Sequence, residues 1–483
     1  MLLVAGWGWP AATGLAQDGV RLPDMGGSDS RVLPRDQERT FPSDFERYLR
    51  THGMLVEDPI IRIYFEDMGH RLASHSDRRD REFHFFLLRV PGINAFAAPA
   101  GVIGLNAGLI LAAETEHEVA GVLAHEIAHV TQNHLARSME EAQRVSLPVM
   151  LATLGAMIAG GMTGTMDGEA MQAILASGTG LAQQLQINYT RQNEAEADRI
   201  GIGLMARAGY DPVGMVSFFE TLNRESRAMG QGPPEYLRTH PMTVSRVAEA
   251  KDRAERIKPV RLRDDEMFYY AQARLRSQME NQPAKAIEFF EARLERADRP
   301  EPAMRYGLAL AQMRAGRYEA AEREVAWLLE HDPKRQIHQL LQAELLLAQD
   351  RNGEALDLLE QLYHAYGRSQ LVTLTYAEAL LHDDDPHKAA QATEMLRAQM
   401  RRSPSVQTSD LLARAANRAG DNVRAAEAVA ENYYLRGGLP QAIEQLERIL
   451  RNDDLDYYQR ARISARLDEL RAEQDRTGGR RSG

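Results

Sequence analysis

Residues 123–135 read LAHEIAHVTQNHL, and the five at the centre, His125-Glu126-Ile127-Ala128-His129, decide the reading of the first half of the chain. Around them apolar residues recur at helical spacing (Val119, Val122, Leu123, Ile127, Val130), and neither Gly nor Pro follows Gly121. The pattern predicts one helix over residues 114–139. Positions four apart on a helix project from one face, about a turn apart, so His125 and His129 can hold one Zn2+ between them. Glu126 sits beside them, placed to accept a proton from a water that the metal acidifies. The same five letters also arise by chance, and the uninterrupted helix around them is what argues against chance.

A catalytic zinc needs a third protein ligand and one open position. The candidate lies some 65 residues downstream in Asn193-Glu194-Ala195-Glu196-Ala197-Asp198. Glu194 and Asp198 are four apart and share a helix face, whereas Glu196 points elsewhere. Glu194 can close the coordination and Asp198 can hydrogen-bond a ligand histidine from behind. A solvated acidic helix start is the plainer account of these carboxylates, and without the histidine pair it would be preferred. His117 and His134 flank the motif at spacings that suit surface or supporting positions. His240, in Thr239-His240-Pro241 ahead of Arg246, reads from spacing alone as a turn histidine.

Composition narrows the classes. The 483 residues allow two to four domains. Lys plus Arg number 58 against 69 Asp plus Glu, a net charge of -11, which argues against a nucleic-acid partner. There is no cysteine, so disulfide scaffolds, thiolate metal sites and cysteine nucleophiles are excluded, and any metal must use His and carboxylates.

Along the chain, residues 1–16 (MLLVAGWGWPAATGLA) look like the apolar core and cleavage site of a signal peptide without its basic start. Residues 17–42 read as an irregular leader and 43–258 as the metallopeptidase domain. Within it, FHFFLLRV (83–90) and INAFAAPAGVIGLNAGLI (93–110) predict a small sheet or hairpin, although the uncharged run 95–100 alone would be only a loop. Residues 146–166 are uncharged and Ala/Gly/Met-rich, a segment for helix packing, a lid or a membrane surface rather than a span. From 264 to 470 turn-plus-alanine units recur at Ala286, Ala320, Ala355, Ala389, Ala425 and Ala442. Their spacing near 34 is that of tetratricopeptide repeats, with a final step of 17 that marks a shifted unit or a misregistered helix. Residues 471–483 read as a disordered tail. The expected fold is mainly α (α+β), a metallopeptidase domain with a small sheet followed by an α-helical repeat solenoid.

These stretches together resemble the gluzincin metallopeptidases of the Ste24 and HtpX type, over nearly the whole chain. The resemblance is carried by LPDMGG (22–27), FHFFLL (83–88), INAFAAPAG (93–101), LAHEIAHVTQNHLARSME (123–140), NEAEADRIG (193–201) and LRTHPMTVSR (237–246), and by the repeats. It implies one Zn2+ per chain held by His125, His129 and Glu194, with Glu126 as general base and Asp198 as a supporting or proton-donating group. It implies that His240 can take the fourth position and keep the enzyme latent, that Asn94, Ala95, Phe96 and Ala97 pair with an extended substrate, and that Arg246 supports the site. It further implies a periplasmic location, unfolded or stalled outer-membrane proteins as clients, the barrel-assembly machinery as a partner of the repeats, and peripheral membrane contact. A competing expectation is a repeat scaffold or chaperone whose metal site is mostly silent.

Overall fold

The computed structural model describes residues 35–139 and 191–478, apart from the short stretches 79–80, 230–233, 258–261, 263–265, 298, 368, 383 and 436–437. The expected signal peptide, residues 17–34 of the leader, the segment 146–166 and residues 479–483 lie outside the described residues. No helix among those described is long and apolar enough to cross a membrane.

The leader expectation is corrected at its end. Helix α1 spans Arg35–Thr51 and carries Pro42 inside it, so residues 35–42 are helical rather than irregular. Phe41, Phe45 and Leu49, one helical face, are fully buried against Leu88, Val90 and Val102. Burial of three large side chains outweighs the local cost of the proline.

Helix α2 (Pro59–Ser74) starts under an Asp58 cap whose Oδ1 accepts from the amides of Ile60 and Ile61. Three strands follow, β1 (His84–Leu88), β2 (Ala95–Ala98) and β3 (Val102–Asn106), in the order β1-β3-β2. β1 runs parallel to β3, with His84 opposite Val102, and β2 runs antiparallel to β3, with Phe96 opposite Gly104. The predicted sheet is therefore present, and β2 lies at its edge. The turn from β2 to β3 needs left-handed backbone at Ala100 (φ 58°) and Gly101 (φ 75°), and a Cβ at Gly101 would stand 2.0 Å from the Glu82 carbonyl oxygen.

After α3 (Ala107–Ala112) comes the motif helix α4 (Glu116–Thr131), where Thr115 Oγ1 accepts from the Glu118 amide and Glu118 Oε2 from the Glu114 amide. Every residue of α4 except His117 is buried, because α2, the sheet and two later helices surround it. The helix predicted to run unbroken to 139 instead stops at Gln132. Asn133 turns the chain through left-handed backbone, and α5 (His134–Met139) follows. Arg81 secures the break, donating through Nη1 to the Val130 carbonyl and to Asn133 Oδ1.

Among the described residues four further helices belong to this half: α6 (Arg191–Ala208), α7 (Val213–Met229), α8 (Glu235–Thr239) and α9 (Val244–Arg256). Twelve more among the described residues, α10 (Glu266–Met279) to α21 (Tyr457–Gly478), follow one another as six successive pairs. The second helices of the pairs begin at Pro283, Tyr318, Asn352, Pro386, Asn422 and Tyr457, intervals of 35, 34, 34, 36 and 35. The step of 17 is thereby explained: Ala442 lies on the first helix of the last pair, Leu439–Leu450, so that helix was misregistered. At the second unit the fully buried alanine is Ala321, not Ala320, and Ala425 is only half-buried. The tail expectation is also corrected, since α21 continues helical through Gly478.

The two halves meet through buried polar groups. Arg274 of α10 donates through Nε to Asp58 Oδ2 (2.7 Å) and through Nη1 to Tyr306 Oη (2.8 Å) and Glu344 Oε2 (3.0 Å). Gln272 Nε2 donates to the carbonyls of Ile110 and Ala113 at the end of α3. Removing one member of a buried ion pair strands its partner. Arg274→Ala should therefore cost about 3–5 kcal/mol in chemical denaturation of the full chain; an unchanged unfolding midpoint would show that the junction is not held here.

Candidate metal centre

His125 and His129 point from α4 into the dry interior, with Nε2 atoms 2.9 Å apart. α6 lies across them, and the contact is close because of Gly201, where a Cβ would stand 3.2 Å from the His125 backbone nitrogen. This seats Glu194, one turn inside α6, with Oε2 3.5 Å from His125 Nε2 and Oε1 3.3 Å from His129 Nε2. His240, which ends α8, inserts its Nδ1 at 3.0 Å from Glu194 Oε1 and 3.3 Å from His125 Nε2. All four side chains are buried, and one donor atom from each lies within 4.8 Å of the others. A tetrahedron around zinc with bonds of about 2.1 Å has edges of about 3.4 Å, and this donor set of three imidazoles and a carboxylate matches it.

Glu126 is the second indication. Its carboxylate is fully buried, no side chain hydrogen-bonds either oxygen at close range, the Ala97 amide faces it, and His240 Nε2 lies 3.5 Å from Oε1. A buried carboxylate so thinly partnered beside four converging donors suits a site for a cation and its water. Charge counts agree. With the imidazoles neutral, as metal ligands are, Glu126, Glu194 and Asp198 supply three carboxylates against one guanidinium, Arg246, so two negative charges remain for a divalent cation to balance once His125 has given up its proton.

The supporting residues are also in place. Asp198 Oδ1 accepts from His125 Nδ1 at 2.9 Å. Arg246 holds Asp198 with two bonds, Nε to Oδ2 (2.8 Å) and Nη2 to Oδ1 (2.9 Å). Its Nη1 lies 2.7 Å from Glu194 Oε2 and donates to the carbonyl of Pro241, so one guanidinium ties α6 to the loop that carries His240. The edge strand β2 packs on α4, with Phe96 half-buried and Ala95 and Ala97 buried, and the backbone of Asn94 accepts from the Asn106 amide.

Electrostatics follow from this geometry. Burial pushes Glu126 above the usual carboxylate range, against the pull of His240 and His125, which makes it a better proton acceptor. Burial also acts on Glu194, but His240, His125 and His129 outweigh it and hold Glu194 well below that range. Asp198 is likewise lowered, with burial outweighed by His125 and Arg246. Burial opposes charge on His125, yet Asp198 and Glu194 raise it to about 10 in the metal-free protein. His129 falls well below its ordinary value, through burial and the neighbouring His125 charge, and burial lowers His134 as well.

The structure thus brings Glu126, His125, His129, Glu194, His240, Asp198 and Arg246 together, with β2 alongside. Sequence reasoning left Tyr236 unassigned and gave His134 only a surface or supporting position. Tyr236 stacks on the His240 ring (centroids 4.7 Å, 27°), a pairing signalled by its position four residues earlier. His134 is fully buried with its Nδ1 2.9 Å from His129 Nδ1, and only the helix break at Asn133 permits that approach.

Residues 62–254 match the profile of Peptidase family M48. Over 467 residues, covering 96% of this chain and 94% of the relative, the sequence is 34% identical to the beta-barrel assembly-enhancing protease of Escherichia coli strain K12. It is 32% identical over 461 residues to the protease of the same name from Yersinia pestis, covering 93% and 91%. A shorter match, 27% over 190 residues, 39% of this chain and 52% of the relative, is to the mitochondrial metalloendopeptidase OMA1 of Schizosaccharomyces pombe.

Histidine binds a metal as the neutral ring, so a cation must displace the proton that His125 carries below about pH 10. The proton competitor weakens as pH rises. Affinity for added zinc should therefore increase about tenfold per pH unit between pH 6 and 9, measured by chelator competition; a flat profile would contradict the charge state assigned to His125.

Proposed function

The chain belongs to Peptidase family M48 and is a metalloprotease, and from that premise we propose that it is a zinc endopeptidase serving outer-membrane β-barrel assembly, with a histidine plug controlling access to the site. The observation that carries the reading is the position of His240, inside the donor cluster and between Glu126 and Glu194. In this reading His125, His129 and Glu194 hold the ion and His240 occupies the fourth position at rest. The bound ion supplies Lewis acidity, making water more acidic and a substrate carbonyl more electrophilic.

Glu126 takes the proton from the attacking water and returns it to the departing amine nitrogen, a shuttle that its raised basicity suits. Asp198 lies behind His125, ionised and bound by Arg246, so its task is to hold the His125 ring in place rather than to donate a proton. The β2 edge of the sheet, from Asn94 through Ala95 and Phe96 to Ala97, would in this reading give an extended substrate a strand to pair with beside Glu126. Pairing along an edge favours unfolded clients, because a folded barrel has no free strand to offer.

Residues 264–470 are assigned as tetratricopeptide repeats on their 34–36 residue step, acting as the docking array for clients or for the barrel-assembly machinery. A periplasmic location with peripheral membrane contact accords with the relatives' role in barrel assembly. The second reading, a scaffold or chaperone with a latent metal site, is favoured by the same His240 position, and the two combine if the plugged protein assists folding.

Glu126→Gln keeps the donors and removes the base. It should leave zinc content unchanged and lower casein cleavage by about 10²–10⁴-fold; cleavage at the wild-type rate would exclude Glu126 as the base. His240→Ala should raise cleavage severalfold at equal zinc occupancy, read on the same substrate, whereas equal or lower cleavage would overturn the plug.

A further inference from the structure

We infer that His134 is a positioning residue that sets which nitrogen of His129 carries the proton, an inference that rests on the metal site proposed above. His134 begins α5, just past the Asn133 break, and is fully buried. Its Nδ1 lies 2.9 Å from His129 Nδ1, and its Nε2 lies 3.1 Å from Glu196 Oε2. Arg137 Nη2 donates to the same Glu196 oxygen at 3.2 Å, holding the carboxylate ionised and in place.

A carboxylate only accepts, so the nitrogen of His134 that faces Glu196 must be the one bearing hydrogen. In a neutral imidazole the other nitrogen is then a bare acceptor. His134 Nδ1 therefore accepts from His129 Nδ1, which leaves the lone pair on His129 Nε2, the atom that converges with His125 and Glu194. The chain runs Glu196, His134, His129, site, and each bond in it dictates the direction of the next. Asp198 performs the equivalent task for His125, but directly and with a carboxylate. For His129 the carboxylate stands one imidazole further out, on the exposed side of α6.

The test uses the full chain and zinc alone, with affinity read by chelator competition and folding read by melting of the metal-free protein. Asn carries an acceptor where His has Nδ1, so it can replace that atom, whereas Leu cannot. His134→Leu should weaken zinc binding about 10- to 100-fold, the usual effect of removing a ligand's outer partner, and His134→Asn should recover most of it. Glu196→Ala changes a partly exposed residue and is the check should the Leu variant fail to fold; it should weaken zinc binding severalfold with an unchanged metal-free melting temperature. Leu and Asn variants of equal affinity, or a Glu196→Ala protein that binds as tightly as wild type, would overturn the relay while leaving the metal site standing. Wild-type protein that takes up no zinc would overturn both.

Discussion

Three carboxylates and a guanidinium buried around three imidazoles set the terms for this molecule. Taking such groups out of water is costly unless each charge is met at contact distance, and no single helix can meet them all. α4 contributes His125, Glu126 and His129, α6 contributes Glu194 and Asp198, the end of α8 contributes His240, and α9 contributes Arg246. Each of these elements is held where it is by the need to bring its charge to the others. Arg246 has the widest reach, since its three nitrogens engage Asp198, Glu194 and the Pro241 carbonyl.

That arrangement also places a third imidazole against the base. His240 Nε2 lies 3.5 Å from Glu126 Oε1 and its Nδ1 3.0 Å from Glu194 Oε1, the position on which the proposed plug rests. The loop is retained by the Tyr236 ring stacked on His240, by the Tyr236 amide bonded to the Ile93 carbonyl, and by Arg246 on Pro241. Ile93 immediately precedes the β2 edge. In the proposed reading, a chain pairing with β2 would lie beside the residue that anchors the Tyr236 amide.

The repeats are joined to this machinery by chemistry of the same type. Asp58 caps α2 with one oxygen and receives Arg274 and Gln278 with the other, so the start of a peptidase helix and the first repeat helix share one carboxylate. Such a junction ties the start of α2 to α10, and with it the repeat array to the catalytic half.

Much of this was legible in the chain itself. The period of 3.6 around His125 and His129, the i, i+4 carboxylates of Glu194 and Asp198, and the near-34 step of the repeats are local patterns, and local periodicity survives in sequence because side-chain direction follows from helix geometry alone. What periodicity cannot register is a place where long-range contacts override it. Pro42 reads as a helix boundary, yet the burial of Phe41 and Phe45 keeps α1 intact across it. Asn133 is a residue type that takes left-handed backbone at helix ends, but the apolar period over 114–139 runs past it, and the Arg81 bonds that secure the break come from some fifty residues upstream. The partnerships of His134 with Glu196, of Arg274 with Asp58 and of His240 with Glu126 likewise join residues separated by 62, 216 and 114 positions. Sequence by itself determined which side chains could serve a metal and on which helix faces they stand. Tertiary packing alone decided which of them meet, because only the closed, water-free core makes an unmatched charge too costly to leave.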